Sequence, residues 1–182
     1  MTKSRVLESL VLTVVCDDRP GIVARLSHEV ERHGGNWTDS SMLSLAGKFA
    51  GILLASVPAS QVEALVADLG ALQAEEGIQV NVHRSTIPLA GNVQSGEARQ
   101  VVLELVGQDR PGIVRDITAI LSRHGVNVLE LESSCESASM SGEMLFRASA
   151  RLLLPPGLSR GVLRTDLERL ANELMVDISL DD

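Results

Sequence analysis

The sequence predicts an α+β protein made of two βαββαβ modules, and three observations carry that prediction. The first is an internal repeat: Asp18-Arg19-Pro20-Gly21-Ile22-Val23 recurs 91 residues later as Asp109-Arg110-Pro111-Gly112-Ile113-Val114. Ten of the 19 positions from Asp18 to Asn36 are identical in the second copy, including Arg32-His33-Gly34 against Arg123-His124-Gly125 and Asn36 against Asn127. The second is the alternation, within each copy, of short Val-rich runs with apolar residues at helical spacing. The third is a Pro-, Gly- and Ser-containing stretch without periodicity, Pro88 to Glu97, which reads as a linker. The boundaries are therefore set at 1–87 for the first module, 88–97 for the linker and 98–182 for the second.

Each module opens on an apolar run, Leu10–Cys16 or Val101–Val106, read as a strand. The Asp-Arg-Pro-Gly turn follows, with Pro expected in the first helical turn. Ile22, Leu26 and Val30, and in the second copy Ile113, Ile117, Ile120 and Leu121, then recur at helical spacing. Gly34 and Gly125 stop these helices, and His33 and His124 just before them fit the negative end of the helix dipole as caps. Two strands come next, Trp37–Leu45 and Phe49–Val57 in the first copy, Asn127–Glu132 and Met144–Leu154 in the second. The longer, polar connection Ser133–Gly142 is expected to project as a hairpin. A second helix is marked by Val62, Leu65, Val66 and Leu69, or by Leu163, Leu167, Leu170 and Leu174; Ile78–Val82 and Val176–Leu180 close the modules. Right-handed crossovers turn this order into the ferredoxin-like arrangement, an antiparallel sheet with both helices on one face. The other face is left open, and a second module or a second chain is the expected cover.

Composition excludes several functions. The 182 residues carry 16 Lys+Arg against 24 Asp+Glu, a net charge of −8, with neither module basic. A chain of this sign repels phosphate backbones. One Trp, two Phe and no Tyr leave no stacking platform for single-stranded nucleic acid. Two cysteines without a CxxC form no disulfide scaffold and point to a cytoplasmic setting. The run before Cys16 is broken by Glu8 and followed by Asp17-Asp18, which suits a buried strand better than a signal peptide. No stretch approaches a membrane span. His28 and His83 lack metal-ligand spacing, and Cys16 and Cys135 are read as small packing residues. Glu130, Glu132 and Glu136 are read as a solvated strand and hairpin. No catalytic residue, metal ligand or cofactor is expected. An acylphosphatase-like anion loop stays formally open through Arg19 and Arg110, without a partner Asn placed beside them.

The Asp-Arg-Pro-Gly loop is the candidate site. Free N–H groups at a helix start attract a carboxylate. Gly21 and Gly112 let a ligand approach the backbone, and Ala there would add strain if φ is positive. Asp18 and Asp109 either cap the helix or accept hydrogen bonds from an α-ammonium. That set of groups suits an amino acid.

The same residues, with His33-Gly34-Gly35-Asn36 and His124-Gly125-Val126-Asn127, resemble ACT domains, small-molecule-binding regulatory modules of βαββαβ fold. Two copies filling nearly the whole chain, with no catalytic or helix-turn-helix segment, are similar to the glycine cleavage system transcriptional repressor family. The resemblance implies a non-enzymatic regulator that binds amino acids where ACT modules pack side by side. It places the ligand contacts at Asp18, Arg19, Pro20, Gly21, Ile22 and Asn36, and at Asp109, Arg110, Pro111, Gly112, Ile113 and Asn127. It also implies a protein partner such as a DNA-binding transcription factor; the net charge and the scarcity of aromatics lead to no direct contact with nucleic acid, and the open sheet faces lead to the expectation that the two modules pack against each other, with a homodimer as a further way to cover them. Trp37 departs from the aliphatic residue usual after that Asn, so its indole lines the first pocket or fills it. The other reading is a regulatory or structural subunit of a metabolic enzyme with no ligand of its own.

Overall fold

A computed structural model describes residues 6–85, 99–137 and 144–181. The chain divides into two compact units, Met1–Asn92 and Val93–Asp182. The expected linker 88–97 lies outside the described residues.

In the first unit, β1 (Leu7–Asp17), α1 (Ile22–Arg32), β2 (Asn36–Leu45), β3 (Lys48–Pro58), α2 (Val62–Glu76) and β4 (Gln79–Arg84) follow in order, with a short 3-10 turn at Ala59–Gln61 before α2. In the second they are β5 (Arg99–Gln108), α3 (Ile113–Arg123), β6 (Asn127–Ser137), β7 (Met144–Leu154), α4 (Arg160–Leu174) and β8 (Val176–Asp181). The sheets run β2-β3-β1-β4 and β6-β7-β5-β8, with every neighbouring pair antiparallel. The fold is α+β, two βαββαβ modules.

Strand alternation sets the two faces. Leu10, Leu12, Val14 and Cys16 of β1 are buried and join Leu26 and Val30 of α1 and Leu65, Leu69 and Leu72 of α2 in one core. Val101, Leu103 and Leu105 of β5 do the same with Ile117, Ile120 and Leu121 of α3 and Leu163 and Leu167 of α4. Each module thus closes its own core on one sheet face.

Some expectations need correction. Val66 is 38% exposed, because the buried stripe of α2 is Val62, Leu65, Leu69 and Leu72 and leaves Val66 at its rim. Pro20 and Pro111 stand before the helices, since Gly21 and Gly112 are the N-caps. β6 continues through Ser137, held by pairing out to Ser137 opposite Met144, so the polar connection cannot begin at Ser133. Residues 138–142, the rest of that connection, lie outside the described residues. Both modules also carry a β-bulge at the start of the second strand, between Trp37 and Asp39 and between Val128 and Glu130. Bulges bend a strand and raise its twist. In the first module the Thr38 hydroxyl bonds the Leu54 carbonyl across it at 2.8 Å.

The open faces differ. In the first module Val15 and Ile52 are 49% exposed and Leu43 57% on that side. In the second the matching face carries exposed Glu104, Arg147 and Arg151, with Glu130 paired to Arg151 and Glu136 to Arg147. The open face of the first module is thus the more apolar of the two, while that of the second presents ions that water solvates.

Candidate ligand site

The loop that joins the first strand to the first helix has one geometry in both modules. Gly21 adopts φ +96° and Gly112 φ +99°, left-handed conformations that glycine reaches without a Cβ clash. Each is the N-cap of its helix, and neither helix start receives a side-chain hydrogen bond at its cap. A Cβ on Gly21 would meet nothing within 4 Å, so the space over this turn is open. At Gly112 it would come 3.3 Å from Nη2 of Arg115.

The loop aspartates do not cap these helices. The Ser44 hydroxyl donates to Oδ2 of Asp18 at 2.6 Å, and the Asp18 N–H donates to the Gly47 carbonyl at 2.9 Å. In the second module the Asp109 N–H donates to the Met144 carbonyl at 2.8 Å. Cys135 stands at the place of Ser44; desolvation and the nearby Asp109 carboxylate push its thiol pKa up. Cys135 is exposed, against its reading as a packing residue, because it lies near the end of an edge strand; Cys16 is buried as expected. Sequence reasoning missed Ser44 and Cys135, although their 91-residue spacing matches the repeat and was the available signal.

The remaining candidates scatter. Ile22 and Ile113 are core residues. Pro20, Pro111 and Arg110 are exposed at the loop. Arg19 turns away toward α2, donating to the Glu76 carbonyl at 2.8 Å and reaching its carboxylate at 3.4 Å. Asn36 and Asn127 are exposed at the far end of the sheet. Asn36 pairs with Ser56, itself opposite Ser9, nine residues before Asp18. At the usual rise per strand residue that is on the order of 30 Å. Asn127 stands likewise, opposite Leu153 and hence Gln100. A site built within one module draws on the loop and the end of the second strand, and not on these asparagines.

His33 and His124 take helix C-cap positions, as expected, but their rings reach further. Each Nε2 lies 2.8 Å from a carboxylate oxygen of the second helix, Asp68 and Asp166 respectively. In the first module this pair joins an ionic cluster. Glu29, only 3% exposed, is bonded by Arg25 and has its Oε2 2.8 Å from Nη2 of Arg32, while Arg25 Nε donates to Glu76 at 2.7 Å. Glu29, His33 and Asp68 bring ligand-type atoms within 4.8 Å of one another. Arg32 bridges Glu29 and Asp68, so guanidinium charge already neutralises the carboxylates and the cluster works as a clamp between α1 and α2. The second module has Ile120 where Glu29 stands and retains the His–Asp pair, with Arg169 3.1 Å from the same aspartate. Trp37 is half-buried against the first module's core.

A family model described as "ACT domain" matches residues 8–83 and 99–181. The chain belongs to the ACT-domain family. Its ACT modules are also related to glycine cleavage system transcriptional repressors. The repressor of Escherichia coli (strain K12) is 27% identical over 129 residues, which cover 71% of this chain and 66% of that protein, just under two thirds of its length. A solved structure of an unknown protein from Galdieria sulphuraria matches with TM-score 0.82 at 31% identity, covering 97% of this chain and 98% of that one. A solved structure of a candidate glycine cleavage system transcriptional repressor matches in fold with TM-score 0.68 at 21% identity, over 97% of both chains. The protein is thus an ACT-domain regulatory protein related to the glycine cleavage repressor. Among the described residues no helix is long and apolar enough to cross a membrane.

Proposed function

We propose that the chain is a non-catalytic cytoplasmic regulator that senses a small amino acid at the Asp-Arg-Pro-Gly loop of its ACT modules and signals through a protein partner. The observation that carries the reading is the pairing, twice over, of an uncapped helix start behind a left-handed glycine with a loop aspartate, held by Ser44 in the first module. The helix N–H groups suit a ligand carboxylate. Asp18, oriented by the Ser44 hydroxyl, and its counterpart Asp109 suit its ammonium. Relatedness to the glycine cleavage repressor supports repression of that system as the role, with DNA approached through a transcription factor, as the net charge of −8 favours. The exposed Val15, Leu43 and Ile52 of the first module support self-association of the chain.

A thermal-shift series with single amino acids tests the binding. A ligand at a hundred times its Kd stabilises the folded state by about 2.7 kcal/mol. The double variant Asp18→Asn with Asp109→Asn should lose the shift while keeping the unliganded melting temperature. If no common amino acid moves the melting temperature of the unaltered chain, the loops are ordinary turns and the protein is an interaction subunit without a ligand of its own.

A further inference from the structure

The two modules carry different side chains on the sheet face that points away from their helices. In the first, the central strands β1 and β3 send Val11, Val15, Ala50, Ile52 and Leu54 outward, with Thr13 between them. Register joins them into one patch. Val11 stands opposite Leu54, Thr13 opposite Ile52, and Val15 opposite Ala50, which also faces Leu43 of β2. Charge is confined to the margin: Asp39 and His83 stand on the edge strands β2 and β4, and Asp17 pairs with Lys48 where the central strands end.

The repeat shows that the fold does not need this patch. At the equivalent register positions the second module has Arg151 for Leu54, Arg147 for Ala50, Glu104 for Thr13 and Ser134 for Leu43. The same sheet therefore forms with a charged outer face. Exposed aliphatics gathered on neighbouring strands mark an interaction surface, and an apolar centre within a polar margin is the anatomy of one.

The occupant must be flat, apolar and free of charge at its centre. The second module's face does not qualify: Glu104 stands at its middle, opposite Ser149 and Ser179, and docking there would desolvate that carboxylate. The first face itself does qualify. A twofold axis brings the same patch of two copies together, as sheets pack in a β-sandwich. We infer that the first module docks through this face on the same face of a second copy of the chain. This rests on the reading that the chain self-associates, and assigns the surface.

Sedimentation equilibrium on the full chain, from micromolar to hundreds of micromolar, tests both. The mass should rise toward twice that of the single chain, since one four-stranded face lies at the small end of stable interfaces. Ile52→Glu puts a carboxylate at the centre of the patch and enters a twofold interface twice. It should weaken the dimer on the order of a hundredfold or more. Leu43→Ser combined with Leu54→Arg, which installs the second module's residues, should also weaken it and serves if Ile52→Glu does not fold; fluorescence of Trp37, packed on that module's core, checks folding. Ser149→Glu, the equivalent change on the second module, should leave the mass unchanged. A single-chain mass at every concentration would sink self-association and this surface together. A dimer that survives both first-module variants, or that Ser149→Glu dissolves, would overturn the surface and leave self-association standing.

Discussion

Gly21 and Gly112 show how one backbone angle changes what a substitution reports. If they served only to make room, alanine would block a ligand and leave stability untouched. Their φ values of +96° and +99° decide otherwise. A Cβ in the left-handed region costs roughly 1–2 kcal/mol, even at Gly21 where it meets nothing within 4 Å. We therefore expect Gly21→Ala and Gly112→Ala each to lower the unfolding free energy by about that amount, read from denaturant midpoints at constant m. An unchanged midpoint would mean that these turns relax without strain. The aspartate variants are the cleaner probes of binding, because Asp18 and Asp109 make no helix cap.

Between elements, the His–Asp pair is the device both modules share for joining their two helices. The hydrogen bond from His124 holds the Asp166 carboxyl below its ordinary pKa. In the first module burial pushes Glu29 up, and the hydrogen bond and charge of Arg25 together with Arg32 more than reverse it, so its pKa is also lowered. A carboxyl depressed in the folded state stabilises above its unfolded pKa, and that stability is lost as pH falls through the folded value. Stability should accordingly drop as pH falls below about 4, the ordinary carboxylate range. Trp37 is the sole tryptophan and packs on the first core, so its fluorescence reports that module. At pH 7 Glu29→Gln should cost about 1–3 kcal/mol, since two arginines lose a buried partner while their half-exposed heads regain water. The same variant should flatten the acid dependence of the Trp37 transition; an equally steep dependence would place the acid sensitivity elsewhere.

At the scale of the whole molecule, charge is distributed against nucleic acid. The chain is acidic overall, and the open face of the second module mixes Glu104, Glu130 and Glu136 with Arg147 and Arg151 rather than forming a basic stripe. Phosphate binding needs such a stripe. The pure protein should leave the mobility of duplex DNA unchanged at low salt, where electrostatic binding is strongest. Salt-sensitive retardation would show that the chain reaches DNA without a partner.

The repeat was enough to determine the architecture. A six-residue match recurring with the same hydrophobic periodicities implied one fold used twice, and the cores came out at Leu26, Val30, Ile117, Ile120 and Leu121 because helical spacing has a fixed geometric meaning. The loop was legible for the same reason. What local pattern could not carry was distance. Asn36 stands 18 residues from Asp18 in the chain, yet the helix returns it to the opposite end of the sheet, so proximity in a motif did not become proximity in space. Ser44 and Cys135 lay outside the motif and were brought to its aspartates by strand pairing. Glu29, which no motif singles out, became the buried centre of an ionic clamp once α2 supplied Asp68 and Glu76. Periodicity and turn chemistry act within a few residues and can be read along the chain; partners separated by a helix or a strand are selected only when the sheet closes, because pairing register is set by burying one whole face.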